Sequence, residues 1–139
     1  MGQTTSIRET TLGQSVVGYT FQSLCDLTYN YYTDEQCYYL QASNYATSTN
    51  ILLKPVTFTV VDIFVKKTDI GSTRLYLELI IDSCKLTMGK ILAHPEDIGF
   101  TVPRKERDKT KYWLDSTNYG TTDVDQVMRC RRDMLKILD

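Results

Sequence analysis

The clearest pattern along the chain is the alternation of apolar and polar positions in its middle. VTFTVVDIFVKK (56–67) reads as a strand whose apolar face changes sides between Val60 and Val61, the mark of a bulge or of a strand buried on both faces. TRLYLELIID (73–82) alternates cleanly, with Leu75, Leu77, Leu79 and Ile81 on one face. Between the two, TDIGS puts Gly71 where a hairpin loop needs positive φ. CKLTMGKILA (84–93) is expected to return as a third strand. Residues 94–109 read as loop around Pro95 and Pro103, with short strands expected at 98–102 and 111–114 and a turn at 116–122.

Toward both ends the period lengthens to that of a helix. In residues 14–32, Val17, Phe21, Leu24 and Cys25 share a helical face, although Val17, Tyr19 and Phe21 also alternate; the segment is read as helix. Thr33-Asp34-Glu35-Gln36 has the form of a capping box, which predicts a helix over 34–43. At the other end Thr122 is a good N-cap. Val124, Val127, Met128, Met134, Leu135 and Leu138 make one apolar face behind it, and Arg129, Arg132 and Lys136 a basic one. Residues 1–12 show no periodicity and are read as a flexible arm in front of a single domain at 13–139. The expected class is therefore α+β: a small antiparallel sheet covered by N-terminal helices and a C-terminal amphipathic helix.

Composition adds an asymmetry. The 139 residues carry a net charge of −1 and a pI near 5.8, so no global field draws the protein to nucleic acid or an anionic membrane. Yet Arg8 is the one basic residue among the first 53, where Glu9, Asp26, Asp34 and Glu35 are acidic and the remaining polar positions are uncharged. Seven of the ten tyrosines fall within residues 19–45, among them Tyr29, Tyr31, Tyr32, Tyr38 and Tyr39. Interface cores are enriched in aromatics and poor in Lys and Glu, so this stretch is the expected protein–protein contact. Adjacent pairs such as Tyr31-Tyr32 and Tyr38-Tyr39 cannot both face one core, so some of these rings are expected at the surface.

Candidate chemistry is sparse. The single histidine, His94, lies in the expected loop, no G-x-S-x-G elbow or phosphate-binding glycine loop is present, and metal-ligand spacings are missing. No enzyme and no cofactor are expected. Cys25, Cys37, Cys84 and Cys130 form no C-x-x-C motif; with no signal peptide and no sequon in the sequence, they read as reduced thiols. No apolar run is long enough for a transmembrane helix. Two basic stretches suit phosphate: Arg104, Lys105, Arg107, Lys109 and Lys111, followed by Tyr112 and Trp113, and the Arg129, Arg132, Lys136 face.

The first six residues, MGQTTS, match the N-myristoylation pattern M-G-x-x-x-[ST], with Gly2 exposed by removal of Met1 and Ser6 at the hydroxyl position. This start resembles those of N-myristoylated viral proteins, including matrix domains, over six residues only. The resemblance implies a small, self-assembling structural or adaptor protein of a virion, docked at the cytoplasmic face of a membrane through Gly2. A single acyl chain binds membranes marginally, so a second signal is expected: palmitate on Cys25, a basic patch, or self-assembly into homo-oligomers. The alternatives are a soluble capsid- or connector-type subunit built through the tyrosines, with other virion or host proteins as partners, and a nucleic-acid-binding accessory protein.

Overall fold

The computed structural model describes residues 3–42, 50–67, 73–81, 86, 88–101 and 127–138. Its organising element is a long strand, β6 (Val56–Lys67), paired antiparallel with β7 (Thr73–Ile81). Their register shifts between Val60 and Asp62, so the change of apolar face seen in the sequence is a β-bulge at Val61. Beyond it, Ile63 and Val65 stand opposite Leu77 and Leu75, and Asp62, Phe64 and Lys66 take the other face opposite Glu78, Tyr76 and Arg74.

The other edge of β6 is shared by two strands end to end. β1 (Gln3–Ser6) pairs with its last third, Gln3 opposite Lys67 and Ser6 opposite Phe64, and β2 (Thr20–Ser23) pairs with Val56–Thr59. Residues 3–6, read from the sequence as part of an arm, thus belong to the sheet. The chain between β1 and β2 leaves the edge at Ile7, whose amide donates to the Ile63 carbonyl (2.9 Å), and returns at Gly18, whose amide donates to Val60 (2.8 Å). Gly18 makes that return at φ 91°, a conformation glycine adopts without penalty. The excursion contains the four-residue α1 (Thr11–Gln14), capped by the Thr10 hydroxyl accepting from the Gly13 amide, and it sinks Leu12 and Val16 completely into the core.

On the far side of β7 lie β8 (Lys90–Ala93), then β4 (Cys37–Ala42), β3 (Leu27–Tyr32) and the short β5 (Ile51–Leu52). β8 is antiparallel to β7 but parallel to β4, so the nine-stranded sheet is mixed. A 3₁₀ turn, Pro95–Ile98, and a ribbon of β9 (Phe100–Thr101) with β10 (Arg129–Cys130) follow, and β11 (Leu135–Leu138) closes the order by pairing with β2. The core sits on one face of the sheet. Phe21, Phe58, Leu77, Leu40 and Leu27 from five strands meet Leu12, Val16, Ile98 and Phe100 in one buried cluster.

The α+β expectation is therefore overturned: the chain is mostly strand, and among the described residues no helix reaches seven residues. The helix read into 14–32 is α1 followed by β2 and β3, and the helix at 34–43 is β4. Thr33–Gln36 is a hairpin loop, with Gln36 at φ 53° and Tyr32 paired to Cys37 across it. A hydroxyl followed three residues later by Gln serves a tight loop as well as a helix start. Among the described residues 127–138 there is no helix but one turn, Leu135 donating to Arg131 (2.9 Å), and β11 pairs with β2. Isolated helices this short are marginal, and an unpaired strand edge outbids them. Thr122, Gly71, the strand expected at 111–114 and the turn at 116–122 lie outside the described residues.

Candidate functional site

Strand geometry sends the tyrosines to opposite faces. On the core side of the β3–β4 hairpin, Tyr38 is buried and packs edge-on against Tyr29 (ring centroids 6.0 Å, 68°) and tilted against Tyr31 (4.9 Å, 59°). On the reverse side Tyr32, 47% exposed, stands at right angles to Tyr39 (5.0 Å, 90°). From there a chain of rings crosses the sheet: Tyr39 to Tyr76 on β7 (5.7 Å), Tyr76 to Phe64 on β6 (5.7 Å), and Tyr76 to His94 just after β8 (4.6 Å). A second, smaller cluster of Cys37, Phe64, Tyr76 and Leu92 underlies these rings.

Charged groups surround them. The hairpin loop holds Glu35 over this face, where its carboxylate accepts from Lys66 Nζ at 2.9 Å and from the Tyr39 hydroxyl at 3.2 Å. That hydrogen bond to Glu35 raises the Lys66 ammonium above its usual value. Burial pushes the Tyr39 phenol well above the normal tyrosine range, with Tyr76, Cys37 and Glu35 adding to it. Burial also raises the Cys37 thiol, against an opposing hydrogen bond from Tyr39. His94 is displaced below the ordinary imidazole value, first by burial; Asp97 opposes the shift and Arg74 reinforces it.

Two adjoining hollows result. One, about 280 Å³, lies between Tyr32, Tyr39, Tyr76 and His94 with Arg74, Asp97 and Gln41 at its rim. The other, about 200 Å³, lies over Phe64 and Leu92 among Lys66, Lys90, Asp62 and Glu78, with Thr4 of β1 in its wall. Glu35 and Tyr39 line both, so the two hollows adjoin, and the larger is the candidate cleft. Its loop support depends on Gly89, at the start of β8, because a Cβ there would overlap the Gln36 carbonyl oxygen. Among the described residues no group of three His, Cys, Asp or Glu side chains is placed to hold a metal ion.

The expected site residues are dispersed. Tyr29, Tyr31 and Tyr38 contribute to the main core, while Tyr32 and Tyr39 line the cleft. Arg129, Arg132 and Lys136 are exposed on β10, the following turn and β11. β11, which carries Lys136, lies five strand positions from β4 in the sheet order, and Arg129 belongs to the separate β9–β10 ribbon. Gly2, Arg104, Lys105, Arg107, Lys109 and Lys111 lie outside the described residues. His94, read as a loop side chain without a role, is half-buried against Tyr76. Glu35, Lys66, Arg74, Tyr76 and Asp97 come together only through the pairing of β4, β8, β7 and β6, and nothing in their spacing along the chain announces it. No family model matches this chain, and no curated protein or solved structure matches it either.

Proposed function

We propose that this is a small, non-enzymatic structural or adaptor protein of matrix type that assembles with copies of itself and docks on a membrane through an acylated Gly2. The observation that carries the reading is the register of β1. Gln3 pairs with Lys67 and Thr4 with Lys66, and Lys66 in turn stands opposite Arg74. β1 therefore starts at the end of β6 that carries Lys66 and Lys67. A myristoyl chain needs a second signal, and cations beside its point of attachment supply one on an anionic surface. Lys136 does not supply it, because β11 joins β2 beside Val56–Thr59, and Thr57, level with Lys136, is about 33 Å along β6 from Lys67 at strand rise. Among the described residues no helix is long and apolar enough to cross a membrane.

The test is co-expression with an N-myristoyltransferase, intact mass, and flotation with anionic and neutral vesicles. Loss of Met1 with gain of one myristoyl group, and flotation on anionic vesicles that disappears in Gly2→Ala, is the expected result. Lys67→Gln with Arg74→Gln should weaken flotation on anionic vesicles alone. Unchanged partitioning of Gly2→Ala refutes the anchor.

A soluble assembly subunit is the second reading, favoured by the exposed Tyr32 ring on the hairpin. It expects oligomers by light scattering that dissociate in Tyr32→Ser. A strictly monomeric protein at high concentration excludes it.

A further inference from the structure

We infer that the cleft on the reverse face of the sheet binds a neutral, hydroxyl-rich ring, a sugar, with Tyr32 and Tyr39 as its stacking platform. This goes beyond the membrane-docking reading and does not depend on it. The inference rests on what the cleft can and cannot accommodate. An anionic ligand such as phosphate would meet the carboxylates of Glu35 and Asp97. A cationic ligand, although welcomed by aromatic faces, would meet Arg74 and Lys66. A purely apolar ligand would cover the polar groups of Gln41, Asp97 and Arg74 without offering them hydrogen bonds.

A sugar satisfies all of these groups at once. Its hydroxyls donate to Glu35 and Asp97 and accept from the Arg74 guanidinium and the Gln41 amide. Its C–H face, weakly positive, lies on the negative face of an aromatic ring. Tyr32 meets Tyr39 edge to face (5.0 Å, 90°) and, half-exposed, leaves ring surface free for such a contact. The walls are already fixed: Tyr39 is held by Glu35, Glu35 by Lys66, and Tyr76 by contacts with Tyr39, Phe64 and His94. Tyr39, Glu35 and Tyr76 therefore have less side-chain freedom to lose on binding, which favours affinity. The larger hollow, near 280 Å³, is just under the usual range of small-molecule sites, the size for one ring, and the hollow over Phe64 and Leu92 adjoins it.

The experiment is a titration of the ¹⁵N-labelled full chain with glucose, galactose, mannose, N-acetylglucosamine, lactose and cellobiose, each to about 50 mM, followed by amide shifts. Expected are saturable shifts for at least one sugar, confined to residues near Tyr32–Gln41, Arg74–Tyr76 and Leu92–Asp97, with millimolar affinity. Tyr32→Ala, whose dispersed spectrum verifies its fold, should weaken that binding by about fivefold or more. Asp97→Asn, which keeps the shape and removes a strong acceptor, should weaken it as well. No saturable shift with any of these sugars overturns the proposal. So does binding that Tyr32→Ala leaves intact, and so does saturation of the same residues by inorganic phosphate or a ten-residue thymidine oligonucleotide when the sugars have no effect.

Discussion

Gly89→Ala tests the joint between β8 and the hairpin loop, on which the cleft depends. Gly89 has no left-handed φ, so backbone strain does not require glycine there; the requirement is space. A Cβ at this position would fall inside the contact distance of the Gln36 carbonyl oxygen and close to its carbon. Those are backbone atoms of a loop pinned by the Tyr32–Cys37 pair, and no flexible side chain can yield in their place. Forcing an extra methyl into such a contact costs about 1–3 kcal/mol. With an unfolding entropy near 0.3 kcal/mol per kelvin for a chain of 139 residues, the melting temperature should fall by about 3–10 °C. Without the contact, the same substitution would stabilise the protein by about 0.4–1 kcal/mol, because alanine restricts the unfolded chain, and the midpoint would rise. The two cases differ in sign. Thermal unfolding followed by far-ultraviolet circular dichroism decides between them, and an unchanged or raised midpoint refutes the packing of β8 against residues 33–36. Because Glu35 rides on that loop, the Lys66–Glu35 pair should loosen together with the loss of stability.

Two further outcomes are expected. Phe58→Ala removes a fully buried ring stacked on Phe21 at 5.8 Å and should cost about 3–5 kcal/mol in urea unfolding; a loss under about 1.5 kcal/mol would contradict the β2–β6–β7 register. Stability should also fall on mild acidification: His94 binds a proton less readily folded than unfolded, so its contribution is whole above about pH 6.5 and declines as the pH drops through that value toward the lower folded one. The groups that bear on this titration are Asp97, Glu96 and Arg74, and the slope of urea midpoint against pH should be shallower in His94→Gln; equal slopes would contradict it.

Some of this protein could be read from its sequence. The β6–β7 hairpin and its bulge follow from period-two alternation broken at Val60–Val61, because a long strand with one buried face writes its own geometry into the order of residues. The opposite facing of Tyr31 and Tyr32, and of Tyr38 and Tyr39, follows from the same rule. The match of MGQTTS to the N-myristoylation pattern is likewise a reading of six residues that needs no fold.

Tertiary structure decided the rest. In residues 14–32 and 127–138 the apolar positions suit either period, and the choice went to strand because β6 and then β2 presented open edges whose hydrogen bonds exceed what a short lone helix recovers. The cleft was illegible for a different reason. Glu35, Lys66, Tyr76 and His94 lie on four separate segments, and only the mixed order β6-β7-β8-β4, with one parallel pair in it, brings them within reach of one another. Parallel pairing joins distant segments through long connections and leaves no local signature, so a site assembled across it exists only once the sheet has formed.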